Sequence, residues 1–254
     1  YILLALFIGI SITLIRSGSK EDNLQNVSIW KDRMIALIIF MVINISFWAC
    51  FEQAGTSLTL FADRNVDRFI FGWEMPASMT QFFNPFFIIL FGSIFSVMWV
   101  KLSKIGKNPS IPLKFCFGIV QLALGFLLTQ VGFQFVNEAY QVPLLTLVFL
   151  YMLHTTGELF LSPIGLSMVT KLSPKSMAGT AMGAWFLSFA IANYVGGKIA
   201  ALTGGHGGGE VSSAEDGLLQ YLDTFATIGY VLLAIAALIF VLNKPIQKLM
   251  HGVE

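Results

Sequence analysis

The sequence predicts an all-α membrane protein with six transmembrane helices, preceded by a remnant of an extra helix. Two observations lead to this fold class. Hydrophobic residues make up 56% of the 254 residues and charged residues only 11%, whereas a soluble domain carries about 25% charged residues. The apolar residues are also grouped into blocks of roughly 20, the length that an α-helix needs to cross a bilayer.

The first apolar block, residues 1–15, is too short to span a bilayer. It starts without a methionine or a charged leader, so we expect the chain to be part of a longer protein. A polar linker, residues 16–26, follows it. The predicted domains are therefore 1–30, the end of an extra helix with its linker, and 31–254, the six-helix bundle.

Six longer apolar blocks follow the linker. The predicted spans are 34–60, 78–100, 112–131, 142–169, 177–202 and 219–242. Lys and Arg cluster in alternate connections, beginning with the one before the first span and ending with the segment after the sixth. Cytoplasmic loops carry this excess of basic residues, so both ends of the bundle are predicted to be cytoplasmic. The glycine-rich connection 204–213 is then external, and a net charge of +1 gives no indication of a nucleic-acid partner.

Two carboxylates lie inside the predicted spans. Glu52 is in the first span and Glu158 is in the fourth. A carboxylate at the centre of a bilayer costs roughly 2.5–3.5 kcal/mol on insertion scales, and such residues are usually functional. We therefore favour a functional site over a purely structural pair. Asn84, in the second span, is as typical of an amide that hydrogen-bonds a neighbouring helix as of a functional residue.

A polar stripe is predicted on the fourth span. His154, Glu158 and Ser162 are spaced i, i+4 and i+8, so a helix places them on roughly one face. Pro163 tends to kink the helix beside them, and irregular backbone in a membrane occurs where protein or a water-filled cavity covers it. The stripe is therefore expected to face a cavity. His154 is also typical of a buried core histidine, and Trp185 of a core or lipid-facing ring.

The same residues argue against an enzyme. Ser162 and His154 would lie about 12 Å apart along a helix axis, at a rise of about 1.5 Å per residue. A Ser–His pair needs a separation of about 3 Å. Cys50 and Cys116 lie in apolar blocks and are predicted to be small buried hydrophobes, and no metal or cofactor motif is present. Carboxylates on separate helices also do not form the ring of like groups that a channel filter needs.

Three segments carry a family resemblance, in order and at corresponding helix depths. They are FWACFEQAGTSLTLFADRNVDR in the first span, FFNP in the second and GELFLSPIGLSMVTKLSP in the fourth. Together they resemble the C-terminal half of a proton-dependent oligopeptide transporter of the POT family, which belongs to the major facilitator superfamily. The most specific pieces are FW-x-x-FEQ and GEL-x-x-SP-x-G. Residues 1–15 are similar to the end of the helical hairpin that bacterial members carry between their two bundles.

The resemblance implies a site for the amino end of a peptide. In that family the glutamate matching Glu158 contacts the peptide amino group, and the asparagine matching Asn84 does so from the neighbouring helix. Ser162, Trp48 and Trp185 would line the same site. A peptide ammonium needs a carboxylate where the dielectric is low, which agrees with Glu158 in mid-span.

The resemblance also implies proton-coupled symport of di- and tripeptides by alternating access, in the plasma membrane and most naturally a bacterial inner membrane. Glu52 matches the glutamate that forms a gating salt bridge with a lysine of the N-terminal six-helix bundle, which is the implied partner of this chain. No Lys or Arg lies in mid-span here, so that cation must come from elsewhere. Protons are the coupling ion and no cofactor is implied. Transport of another solute, such as nitrate, a glycoside or an amino acid, stays open as the alternative.

Overall fold

A computed structural model describes residues 2–17, 24–203 and 213–253. Within these residues the chain forms eight α-helices, four two-residue strands and three short 3-10 segments. The helices are α1 (Ile2–Ser17), α2 (Leu24–Phe51), α3 (Ser57–Asn65), α4 (Phe83–Lys104), α5 (Ile111–Phe133), α6 (Leu144–Leu172), α7 (Ala178–Thr203) and α8 (Ala214–Leu249). The strands are β1 (Val66–Asp67), β2 (Phe69–Ile70), β3 (Trp73–Glu74) and β4 (Val142–Pro143).

The prediction of six membrane-spanning segments is confirmed. Six helical segments are long and apolar enough to cross a bilayer, counted over the described residues: Val27–Asn65, Ala77–Lys104, Ile111–Phe133, Leu144–Leu172, Lys175–Leu202 and Ala214–Leu249. The protein is therefore an integral membrane protein. The shorter apolar helix Ile2–Arg16 falls below this length, as expected for the first block, and it packs against α7 and α2.

Helix ends differ from the predicted ones where polar contacts decide them. The last helix begins at Ala214 rather than at residue 219 because Ser213 caps it, accepting a hydrogen bond from the Asp216 amide at 3.1 Å. The fourth span was predicted to begin at residue 142, but Val142 and Pro143 form β4, paired in parallel with β1. The glycine-rich connection at 204–212 and residues 18–23 of the linker lie outside the described residues.

The first span is not the continuous helix that its hydropathy predicts. Helix α2 ends at Phe51, a 3-10 segment runs over Glu52–Gly55, and α3 begins at Ser57. Thr56 separates the last two with φ −130° and ψ −97°, outside the helical region. The interruption places Glu52 at a helix end inside the membrane.

Helix α6 owes its position to close packing on α5. Gly118 of α5 faces Gly157 of α6, and a Cβ added to either residue would lie 2.7 Å from the other's carbonyl oxygen. Small residues of this kind let helix backbones approach closely in membranes. Helix α6 continues unbroken through Pro163. Helix α4 packs mainly on α6 and buries one side chain, Phe87, within the described residues, so most of its surface is open.

Gly118→Ala is expected to lower the stability of the full-length protein by about 1–3 kcal/mol, because a new methyl group would overpack the α5–α6 contact. The measurement is the thermal unfolding midpoint in detergent. Gly9→Ala is the matched control, since a Cβ there meets nothing within 4 Å and alanine is favoured over glycine in a helix. Equal midpoints for both variants would contradict the proposed role of this contact.

Candidate functional site

The two polar residues of α4 and α6 that the sequence singled out are in direct contact. The Asn84 Nδ2 donates hydrogen bonds to Glu158 Oε2 at 3.0 Å and to Thr155 Oγ1 at 3.1 Å. Thr155 is fully buried, and its hydroxyl donates to the Tyr151 carbonyl at 2.7 Å. That bond orients the Thr155 oxygen as an acceptor, so the Asn84 amide is held between two fixed partners.

Glu158 lies near the middle of α6 and is half-buried. Helix α6 presents it towards α4, at the start of which Asn84 stands. Both Nδ2 hydrogens of Asn84 are used on Thr155 and Glu158, one each. The Asn84 Oδ1 is therefore the acceptor that this amide can offer to a ligand, beside the second oxygen of Glu158. The arrangement suits a ligand that brings several N–H donors and a positive charge.

The broken first span brings Glu52 to the same region. Glu52 is half-buried at the start of the 3-10 segment. The residues beside it contact α6: the Phe51 ring centroid lies 6.3 Å from that of His154, and the Ala54 carbonyl accepts from the Tyr151 hydroxyl at 3.5 Å. In the part of the chain that the structure describes, neither carboxylate has a Lys or Arg within ion-pair distance. Two like charges in a low-dielectric site favour the uptake of a proton or a cation.

The side chain of Gln53 stabilises the helix interruption beside Glu52. Its side chain is fully buried, and its Nε2 donates to the carbonyl of Ala49 at 2.9 Å and to that of Gly196, in α7, at 3.0 Å. Its Oε1 accepts from the hydroxyl of Ser57 at 2.7 Å. The side chain thus links the end of α2, the start of α3 and α7, and it ties the interruption to a second helix.

Two carbonyls of the interruption accept hydrogen bonds from side-chain hydroxyls. The hydroxyl of Thr59 donates to the Ala54 carbonyl at 2.7 Å, and that of Thr56 to the Glu52 carbonyl at 3.4 Å. Tyr151 of α6 also approaches the Ala54 carbonyl, at 3.5 Å. Non-helical backbone at membrane depth requires such partners, and they fix where Glu52 projects.

The three other residues predicted for the site differ in exposure. Trp48, one turn before Glu52, is half-buried and lies 5.0 Å, between ring centroids, from Phe189 of α7. Ser162 is half-buried, one turn after Glu158. Trp185 is only 2% exposed, and its ring packs over Gly165, where a Cβ would lie 2.6 Å from the Trp185 Cζ2. Trp48 and Ser162 are therefore partly accessible, whereas Trp185 supports α6 from α7.

The predicted polar stripe is wrong at His154. This side chain is 1% exposed, with its ring centroid 4.6 Å from that of Phe126. It also covers Gly125, where a Cβ would lie 2.4 Å from the His154 ring if the glycine were replaced. The alternative of a buried core histidine is therefore the right one. The polar surface of α6 begins at Glu158.

Sequence reasoning missed several residues that organise this region. Thr155 and Gln53 hold Asn84 and the helix break, and the buried pair of Asn44 and Ser188 joins α2 to α7 through a hydrogen bond of 2.9 Å. Thr155 and Gln53 stand next to polar residues that had been noted, so their neighbourhood was the available signal. Asn44 and Ser188 carried no such signal in the sequence, because their pairing depends on which helices pack together.

Comparison with known proteins identifies what this bundle resembles. Residues 6–208 match the POT family (PTR2). The chain is 37% identical over 224 residues to the peptide transporter YePEPT of Yersinia enterocolitica, covering 87% of this chain and 42% of that protein. It is 35% identical over 237 residues to dipeptide and tripeptide permease A of Yersinia pestis, covering 93% and 46%. The chain thus spans about half the length of the curated relatives it matches.

Solved structures match over nearly the whole chain. The crystal structure of a peptide transporter POT in complex with sulfate superposes with a TM-score of 0.82 at 29% identity, covering 99% of this chain and 46% of that one. A POT family transporter in complex with a thioalcohol-conjugated peptide superposes with a TM-score of 0.77 at 26% identity, covering 96% and 47%. These matches confirm the predicted C-terminal bundle of a major facilitator fold.

Gln53→Leu is expected to destabilise the full-length protein by about 1–3 kcal/mol, because it removes the buried hydrogen bonds of the amide to the carbonyls of Ala49 and Gly196 and to the Ser57 hydroxyl. The thermal unfolding midpoint in detergent measures the effect. Gln134→Leu, at an exposed position just after α5, is the matched control and should stay within about 0.5 kcal/mol of the parent. An unchanged midpoint for Gln53→Leu would show that the break does not need this side chain.

Proposed function

This chain belongs to the POT family, and we propose that it forms the C-terminal half of a proton-coupled symporter of di- and tripeptides. Relatives named as a peptide transporter and as a dipeptide and tripeptide permease support the substrate class. The observation that carries the proposal is the contact of 3.0 Å between Asn84, at the start of α4, and Glu158, at the middle of α6. The Glu158 carboxylate is energetically costly at this depth in a bilayer. The Asn84 amide orients it, and it has no cationic partner among the described residues.

Glu158 and Asn84 bind the amino end of the peptide in this proposal. The ammonium of a peptide has three N–H donors and one positive charge, which match the free oxygen of Glu158 and the Asn84 Oδ1. A charge-assisted hydrogen bond in a low-dielectric site is roughly twice as strong as a neutral one. Ser162 and Trp48 line the space beside this pair, and Trp185 contributes by holding α6 in place.

Glu52 couples protons to gating in this proposal. It follows the end of a helix inside the membrane, and it has no oppositely charged neighbour within ion-pair distance in the described part of the chain. A lysine of the other bundle and a proton are alternative partners for its charge, and exchange between them links proton binding to closure. The enzyme alternative receives no support, since the family's named relatives are transporters and permeases.

The whole transporter requires an N-terminal six-helix bundle. Alternating access needs two bundles that rock around a shared site near the bilayer midplane, and this chain supplies one side of that site. Helix α1 is assigned to the end of the hairpin that joins the bundles. The basic connections orient both ends of this bundle towards the cytoplasm, in a plasma membrane that is the inner membrane of a bacterium.

Competition tests the substrate class. The full-length protein is reconstituted in proteoliposomes with an inward proton gradient, and uptake of labelled dialanine is measured against unlabelled solutes. Di- and tripeptides should compete, whereas nitrate, a glycoside and single amino acids should not. Absence of dialanine uptake, or stronger competition by one of the other solutes, would overturn the assignment to peptides.

Glu158→Gln is expected to abolish the preference for a free amino terminus. Loss of a buried charge partner costs about 2–5 kcal/mol, so the half-saturation concentration for dialanine should rise at least about tenfold. N-acetylated dialanine, which has no ammonium, should bind the parent poorly and lose little in the variant. Glu138→Gln, at an exposed loop position, is the control. Normal proton-driven accumulation of dialanine by Glu158→Gln would exclude this role.

Glu52→Gln separates coupling from peptide binding. Without a titratable group, we expect loss of dialanine accumulation driven by a proton gradient. Counterflow exchange at equal pH on both sides should persist, because it requires no net proton movement. Both activities are measured in the same proteoliposomes, with Glu138→Gln again as the control. Retained accumulation would rule out Glu52 as the coupling group.

A further inference from the structure

The hydroxyl of Thr155 has its only hydrogen committed within its own helix. The side chain is fully buried, and its Oγ1 donates to the Tyr151 carbonyl, one turn earlier in α6, at 2.7 Å. A threonine hydroxyl has one hydrogen and two lone pairs. Since the hydrogen points at Tyr151, the Thr155 oxygen acts towards a neighbouring helix only as an acceptor.

The group that Thr155 accepts from is the Asn84 amide of α4. The Asn84 Nδ2 lies 3.1 Å from Thr155 Oγ1 and 3.0 Å from Glu158 Oε2. Turning the amide over would place its Oδ1 against these two oxygens. Thr155 has no second hydrogen to donate and an ionised carboxylate has none, so the turned amide would lose both hydrogen bonds. Thr155 and Glu158 therefore select the same orientation of Asn84.

Thr155 keeps this orientation when Glu158 changes its partner. A carboxylate that takes up a proton becomes a donor as well as an acceptor, so it can bond to either end of an amide. A cation drawn to Glu158 also competes for the oxygen that Asn84 uses. The Thr155 hydroxyl does not titrate, and the Tyr151 carbonyl that holds it belongs to the same helix. Thr155 thus fixes the Asn84 amide in states where Glu158 does not.

We propose that Thr155 is a positioning residue that sets the preference of this site for a free amino group. Because Thr155 holds the Asn84 Nδ2, the ligand meets the Asn84 Oδ1, which is an acceptor, beside Glu158. A peptide ammonium brings only donors. An acylated amino end also brings a carbonyl oxygen, and the held amide offers it no donor. This role of Thr155 rests on the proposed function, and it adds the residue that decides which amino ends are accepted.

Uptake of labelled dialanine by the full-length protein in proteoliposomes tests this role. Thr155→Val keeps the shape of the side chain and removes the acceptor, so Asn84 must be ordered anew by each ligand. The half-saturation concentration for dialanine should rise about threefold to tenfold, as for the loss of one hydrogen bond. N-acetylated dialanine should inhibit the variant at least as well as the parent, because the released amide can turn its Nδ2 towards the acetyl oxygen. Thr155→Ala, which removes the same hydroxyl by shortening the side chain, should give both results.

Three further variants separate positioning from a general loss of structure. Thr155→Ser keeps the hydroxyl and should stay within about twofold of the parent. In an Asn84→Ala background, Thr155→Val should raise the half-saturation concentration no further, because the amide through which it acts is gone. Thr129→Val is the matched control. Thr129, in α5, is also fully buried and donates to a carbonyl of its own helix, that of Phe126, at 2.7 Å, so its loss should leave dialanine half-saturation unchanged.

The uptake measurements distinguish failure of this role from failure of the proposed function. If the parent takes up no dialanine, the assignment to peptides is overturned, and the role of Thr155 with it. If the parent takes up dialanine and Thr155→Val has the same half-saturation concentration, only the role of Thr155 is overturned. Equal impairment of Thr155→Ser or Thr129→Val, or additive effects of Thr155→Val and Asn84→Ala, would also exclude it.

Discussion

A hydrogen-bonding group in hydrocarbon must find its partner within the protein, and this constraint shapes the centre of the bundle. The first span is interrupted after Phe51, and side-chain hydrogen bonds stabilise the interruption. The buried Gln53 amide contributes two of them by donating to the carbonyls of Ala49 and Gly196. The same bonds decide where Glu52 projects. One buried amide therefore supports the interruption beside Glu52 and joins it to α7.

Close backbone packing has a comparable effect on α6. The contact between Gly118 and Gly157 fixes the rotation of α6 about its axis. Given that rotation, Glu158 meets Asn84 on one side while His154, a turn earlier, is buried against Phe126. The opposite side of the same helix carries Ser167 and Lys171 at a cavity beside α5.

Within the described residues, not every charged side chain of the bundle has a partner of opposite charge. Ion pairs lie near the ends, such as those of Arg68 with Asp63 and Glu74, whereas Glu52 and Glu158 have no basic partner there. Buried carboxylates of this kind are costly unless a cation or a proton neutralises them. A chain that covers about half the length of its relatives and leaves this charge uncompensated fits a site that is shared with a second bundle.

Composition and hydropathy predicted the membrane class and the number of spans. They also marked Glu158, Asn84 and Glu52 as polar residues inside apolar spans, because the free-energy cost of a polar side chain in a bilayer can be estimated residue by residue. They did not predict the helix interruption at Glu52, the burial of His154, or the hydrogen bonds by which Gln53 and Thr155 hold the interruption and Asn84. These features depend on which helix faces which. A spacing of four residues defines a face of a helix, but only packing decides whether that face meets water, another helix or lipid.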